Sequence, residues 1–111
     1  MKKALALIAS AMAFSLSAQA LETELKLGVG LFQPDKEKND ATYRPLADYL
    51  SAKLGRKVTL RTVDTWEGLA KSLANGETDM ALMGPWGYVL ANHEASAQAI
   101  STILYDSKPE Y

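Results

Sequence analysis

The stretch VTLRTVDTWEGLAKSLANGETDMALMGP, residues 58–85, changes its hydrophobic period twice. Residues 58–63 alternate apolar and polar side chains, which is typical of a half-buried strand, whereas residues 69–73 place apolar side chains at helical spacing. After the helix stop signal Asn75-Gly76, the apolar run Met80–Met83 predicts a second strand that is buried on both faces. The stretch therefore predicts a strand–helix–strand unit, and units of this kind form parallel sheets.

The segments on either side continue the same alternation. Residues 25–31 predict the first strand, which a polar loop joins to a helix beginning at Thr42 with Pro45 in its first turn. Pro85 marks the first position of a third helix, and residues 99–105 predict a fourth strand. This order predicts an α/β fold with a mainly parallel sheet and helices on both faces.

The first twenty residues have the composition of a secretory signal peptide. Two lysines precede the apolar run Ala4–Leu16, which is short for a membrane span, and Ala18-Gln19-Ala20 is typical of a cleavage site. An uncleaved N-terminal membrane anchor is the alternative interpretation of these residues. We expect residues 1–20 to be removed on export, which leaves a chain beginning at Leu21 without stable membrane insertion.

Composition argues against several classes of function. The chain has 12 Lys and Arg against 13 Asp and Glu, and loss of residues 1–20 with their two lysines gives a formal charge of −3. The basic residues are scattered, which argues against nucleic-acid binding. With no cysteine and one histidine, we expect no disulfide, no metal site and no cofactor. No GxSxG, Walker or HExxH motif occurs, so no catalytic residue is assigned.

Ligands of parallel α/β sheets bind beside the carboxyl ends of the strands, where helix N-termini offer backbone N–H groups to anions. One such segment here contains Phe32 and Gln33, a second contains Trp66 with its indole N–H donor, and a third contains Gly84 and Trp86. The backbone N–H groups of residues 86–88 favour a small oxyanion or a polar neutral solute. Core packing is the alternative role for the two tryptophans.

Four stretches resemble one family of transport proteins: LKLGVGLFQP at 25–34, YRPLADYLSAKLGRKVTL at 43–60, VDTWEGLAKSLANGETDMALMGPWGYVLAN at 63–92 and ILYDSKPEY at 103–111. They resemble the N-terminal part of the periplasmic solute-binding proteins that serve phosphonate, phosphite and hypophosphite ABC transporters. The resemblance implies a type II, two-lobed binding protein that closes on an oxyanion, signals to a membrane permease and performs no chemistry. It also implies that residues 21–111 are the N-terminal part of lobe I, with the second lobe and the returning strand of the sheet beyond Tyr111.

The family pattern adds one residue to the candidate site. Trp66 corresponds to an aromatic ligand contact after the second strand, and Met83 corresponds to a contact before the glycine that ends the third strand. Many members have Tyr at the first position, and some phosphonate binders have Tyr at the second, where Met cannot donate a hydrogen bond. Both residues resemble the phosphite- or hypophosphite-type branch. The implied ligand is therefore a small phosphorus oxyanion, and the implied location is the periplasm.

Two other functions stay open at this point. One is a receptor for phosphate or another oxyanion, or the oxyanion-sensing domain of a signalling protein built on the same lobe. The other is a small secreted α/β enzyme or interaction domain that is complete as it stands.

Overall fold

The computed structural model describes residues 24–104 and 106–108 of the chain. Three strands and three helices alternate: β1 Glu24–Gly30, α1 Lys36–Leu54, β2 Lys57–Val63, α2 Trp66–Ala74, β3 Met80–Leu82 and α3 Pro85–Ala95. The strands form one parallel sheet in the order β2–β1–β3. The predicted α/β fold with a parallel sheet is therefore confirmed. The predicted signal peptide lies outside the described residues.

Helices cover both faces of the sheet, because successive side chains of a strand point to opposite faces. On one face, Leu27 and Val29 of β1 form the core with Val58 of β2 and Ala47 of α1. On the other face, Gly28 lies against α2, where an added Cβ would come within 2.6 Å of a methyl group of Leu69. Helix α3 packs mainly against α2. No helix within the described residues is both long and apolar enough to cross a bilayer.

Helix α1 begins at Lys36, and the predicted start at Thr42 is therefore wrong. Asp35 caps the helix, since its Oδ1 accepts a hydrogen bond from the backbone N–H of Lys38 (2.8 Å). Pro45 consequently lies inside the helix, as its tenth residue, and is exposed. Hydrophobic periodicity does not reveal this boundary, because the first turns of α1 are polar. The start of the helix is marked only by the side-chain cap.

Strand β3 is an edge strand among the described residues. It pairs only with β1, and Met80, Ala81 and Leu82 are each half-buried. The prediction that this run is buried on both faces is wrong for that reason: complete burial requires a strand on the other side of β3 and cover on both faces.

The prediction of a fourth strand at residues 99–105 is wrong for residues 99–104, the part of this segment that the structure describes. Residues 99–104 form no strand, and Tyr105 lies outside the described residues. Ile100 and Leu104 are 89% and 59% exposed. A strand requires a neighbour that bonds to its backbone, and none of the three described strands pairs with this segment, so its apolar composition was not sufficient.

Candidate functional site

The three parallel strands end on the same edge of the sheet, at Gly30, Val63 and Leu82. Gly30 is directly opposite Val63, and the residue before it, Val29, is opposite Leu82. A helix begins within a few residues of each end. The structure therefore places all the predicted contacts at the carboxyl edge of the sheet: Phe32, Gln33, Trp66, Met83, Gly84 and Trp86.

Trp66 packs against two glycines from different parts of the chain. A Cβ added to Gly30 would lie 2.1 Å from Cζ3 of the indole, and a Cβ added to Gly87 would lie 3.0 Å from its Cε3. Only a residue without a side chain leaves room for the ring at Gly30. The indole therefore connects the end of β1 to the first turn of α3. Sequence reasoning did not predict the contacts of either glycine with Trp66. The available signals were the position of Gly30 at the end of a strand and of Gly87 inside a short helix.

Aromatic rings extend this contact towards α1. The rings of Phe32 and Trp66 meet edge to face with centroids 5.2 Å apart, and the rings of Phe32 and Tyr43 are 5.7 Å apart. Phe32 is nevertheless 41% exposed. We call Tyr43, Phe32 and Trp66 the aromatic cluster. Edge-to-face pairs of this kind contribute about 0.5–1.5 kcal/mol beyond their buried area.

Trp66 combines packing with an available donor. Its indole N–H donates to none of the described residues, and no buried polar side-chain atom among them lacks a partner, so this N–H is not completely buried. The two roles that the sequence left open for Trp66 are thus compatible in one side chain. The six-membered ring packs, while the pyrrole N–H can donate to a bound solute.

The N-terminus of α3 differs from those of the other two helices. Asp35 caps α1, and Thr65 caps α2 by accepting a hydrogen bond from Gly68 N (3.0 Å). Gly84 occupies the N-cap position of α3 but has no side chain, and no described side chain bonds to that helix end, which is therefore uncapped. A Cβ added to Gly84 would meet nothing within 4 Å, so the backbone there faces open space. This terminus has the arrangement that favours anions.

The donors at this terminus are fewer than predicted. Tyr88 N donates to Gly84 O (3.0 Å) as the first bond of the helix, so its N–H is already satisfied. Pro85 has no N–H, which leaves the amides of Trp86 and Gly87. The side chain of Trp86 is 59% exposed, and Met83 is half-buried beside Gly87.

A buried amide holds the loop after β1. Asn39 Oδ1 accepts hydrogen bonds from the backbone N–H groups of Phe32 (3.0 Å) and Gln33 (3.2 Å). Asn39 Nδ2 donates to Gly30 O (3.1 Å) and to Thr62 Oγ1 (3.0 Å). Gln33 is half-buried, and its side-chain amide bonds to none of the described residues. The sequence carried no signal for Asn39 beyond a polar residue near a helix start.

Asp40 extends this network with a charge. Its carboxylate accepts hydrogen bonds from Lys36 Nζ (2.6 Å) and from Thr62 Oγ1 (2.5 Å). These two bonds, with a smaller Coulombic contribution from Lys36 and Arg44, lower the pKa of Asp40 below its ordinary value of 3.8. Asp40 is therefore ionised at neutral pH and acts only as an acceptor.

The carboxyl edge of this parallel sheet, with an uncapped helix N-terminus and an accessible indole, has the form of a solute-binding site of α/β proteins. Residues 31–111 match the family model described as "ABC transporter, phosphonate, periplasmic substrate-binding protein". The chain belongs to this family, which confirms the resemblance seen in the sequence. The family consists of periplasmic solute-binding transport proteins and not of enzymes. The match begins immediately after β1, so it includes every predicted contact residue.

Proposed function

We propose that this chain supplies first-lobe contacts to a small phosphorus oxyanion (phosphite, hypophosphite or a phosphonate) for import by an ABC transporter. The observation that supports the proposal most strongly is the uncapped N-terminus of α3, which lies at the sheet edge where Trp66 also lies. Helix termini of this kind carry about half a positive charge and free N–H groups. Phe32, Gln33 and Trp86 complete the proposed contacts.

The proposed recognition is electrostatically neutral on the protein side. None of the six proposed contact residues is charged, so the amides of Trp86 and Gly87 and the indole N–H of Trp66 would bind the oxygens. A hydrogen bond from such a donor to a charged group contributes about 1.5–3 kcal/mol. A few of them suffice for a small anion without a lysine or arginine.

Met83 would favour a ligand that is not fully oxygenated. Its thioether cannot donate a hydrogen bond, and an oxygen that faces it would lose its solvation without a replacement. Phosphite and hypophosphite carry hydrogen on phosphorus, and phosphonates carry carbon, so each has a face that tolerates an apolar neighbour. Inorganic phosphate has oxygen on all four sides and should bind more weakly at this position.

An NMR titration of the 111-residue chain tests the proposal. Phosphite should shift the amide signals of Trp86 and Gly87 and the indole signal of Trp66 in a saturable way, and inorganic phosphate should shift them less. Trp66→Phe keeps an aromatic ring but removes the N–H, and it should weaken phosphite binding about tenfold or more. Tyr49→Phe, on the exposed side of α1, is the matched control and should leave it unchanged. Shifts confined to other residues, or unchanged binding in Trp66→Phe, would contradict the proposal.

Export and a second lobe belong to the same proposal. The chain would be cleaved before Leu21 in the periplasm, and a second lobe beyond Tyr111 would close over the ligand and present the complex to a permease. Mass spectrometry of the periplasmic protein should then find Leu21 at its N-terminus. Retention of residues 1–20 in a membrane fraction would instead support the alternative of an N-terminal anchor.

A further inference from the structure

Asn39 is the one completely buried polar residue in the first turns of α1, with an exposed fraction of 0%. Burial of an amide is costly unless its hydrogen-bonding groups find partners. Here both N–H donors and both acceptor positions are used, on four different groups: Gly30 O, Phe32 N, Gln33 N and Thr62 Oγ1. A side-chain amide can make no more than these four bonds.

Two of the four bonds take the place of strand pairing beyond the point where the sheet ends. Strand β1 stops at Gly30, and the backbone N–H groups of Phe32 and Gln33 lie beyond its pairing with the neighbouring strands. Phe32 N also donates to Gly30 O within the loop (3.1 Å). Asn39 accepts from both of these donors and is itself carried by α1, a helix of 19 residues. Asn39 thereby fixes the position of the loop 31–33, which has no regular secondary structure, relative to helix α1.

The orientation of the amide is determined by its neighbours. The Asp40 carboxylate can only accept, so the hydroxyl of Thr62 must donate its proton to Asp40 Oδ1 (2.5 Å). The Thr62 oxygen is then left as an acceptor, and it accepts from Asn39 Nδ2 (3.0 Å). With Nδ2 directed towards Thr62, Oδ1 of Asn39 faces the loop donors. The order Asp40–Thr62–Asn39 thus sets which end of the amide meets the loop.

We propose that Asn39, oriented by Thr62 and Asp40, is the positioning residue of the binding loop 31–33. It holds the backbone so that Phe32 contacts Trp66 and the side chain of Gln33 is left without an internal partner. Asn39 does not touch the ligand; it acts through Phe32 and Gln33. The inference rests on the proposed function, because only that function makes residues 31–33 a binding loop. The conformation of the loop can be measured without any ligand.

The test compares two variants on the same strand. Thr62→Val keeps the shape of the side chain and removes the hydroxyl that orients Asn39. Thr59→Val is the matched control, because Thr59 Oγ1 also loses a side-chain partner, Glu24 (2.8 Å), but lies away from the loop. Asn39→Ala, which removes all four bonds, is the stronger variant where it folds. Amide hydrogen exchange is measured at Phe32 and Gln33 after matching global stability with denaturant.

Thr62→Val should accelerate exchange at Phe32 and Gln33 by about tenfold relative to Thr59→Val, the factor expected for weakening one hydrogen bond. Equal exchange in the two variants, or an acceleration spread over all amides, would overturn the inference, because either result reduces Asn39 to a general stabilising residue. Titration with phosphite is a separate arm. If phosphite binds neither this chain nor a form extended by the second lobe, the proposed function fails, and the exchange data still decide whether Asn39 positions the loop.

Discussion

Replacing Gly30 by alanine tests the packing of Trp66 most directly. The added Cβ would lie 2.1 Å from Cζ3, 2.5 Å from Cη2 and 2.9 Å from Cε3 of the indole. To reach an ordinary contact distance of 3.4 Å, the ring must move by about 1.3 Å. Gly87 packs on the same ring, and Phe32 meets it edge to face, so both contacts resist the movement.

The expected cost follows from two opposing terms. Overpacking of this size costs about 1–3 kcal/mol. Alanine in place of glycine in a strand offsets about 0.5–1 kcal/mol by restricting the unfolded chain. The net loss in unfolding free energy should therefore lie between about zero and about 2.5 kcal/mol. In a Trp66→Leu background the clash disappears, and Gly30→Ala should be neutral or slightly stabilising.

Urea unfolding followed by circular dichroism measures this cycle, because tryptophan fluorescence would itself respond to movement of the ring. The coupling energy between positions 30 and 66 should be about 1–3 kcal/mol. Gly84→Ala is the control at the same sheet edge, since its Cβ meets nothing within 4 Å; it replaces the N-cap glycine of α3, should change stability by about 1 kcal/mol or less, and should show no coupling to position 66. A coupling energy near zero between positions 30 and 66 would refute the packing argument, because the cycle cancels the effect of alanine on the unfolded chain.

Three further changes have defined outcomes. Pro45→Ala restores an N–H inside α1 at an exposed position, and it should raise the unfolding free energy by about 1–3 kcal/mol; an unchanged urea midpoint would contradict the helix interior assigned to Pro45. Leu69→Ala empties a site that is 0% exposed and should cost about 2–5 kcal/mol in urea unfolding, whereas a loss below 1 kcal/mol would show that Leu69 is not in a packed core. Because the pKa of Asp40 is lowered on folding, its carboxylate stabilises the protein above pH 3.8, and this stabilisation is lost as the pH falls through the lowered pKa. The stability difference between the unmodified chain and Asp40→Asn should therefore be constant near neutral pH and shrink below pH 3.8, and a pH-independent difference would contradict the assignment.

Local signals predicted the elements that depend on neighbouring residues in the chain. The alternation in residues 25–31 matches β1 to within one residue, and Pro85 is the first residue of α3. Each of these depends on side chains a few positions apart. The start of α1 was missed because its cap lies ahead of any hydrophobic period, and residues 99–104 lack the paired neighbour that a strand needs.

The candidate site divides in the same way. Rules for parallel sheets placed five of the six candidate residues at the carboxyl edge, because the position of a strand end follows from the order of elements, and the family resemblance added Met83. The residues that hold this edge together were not predictable. Gly30 meets a ring 36 positions later, and Asn39 bonds to Thr62, 23 positions away. The presence of a glycine or an asparagine in a sequence does not indicate which distant group it will contact in the folded chain.

The order of the three described strands and helices, the family and the sheet edge at which the candidate residues lie are thus determined by the sequence itself, since hydrophobic period and helix caps act within one or two turns of the chain. Tertiary structure alone decided that β3 lies at the edge of the described sheet, that Trp66 rests on Gly30 and Gly87, and that Asn39 is buried. The physical reason is that these features come from close packing and from hydrogen bonds between distant segments. Such contacts exist only after the chain has brought those segments together.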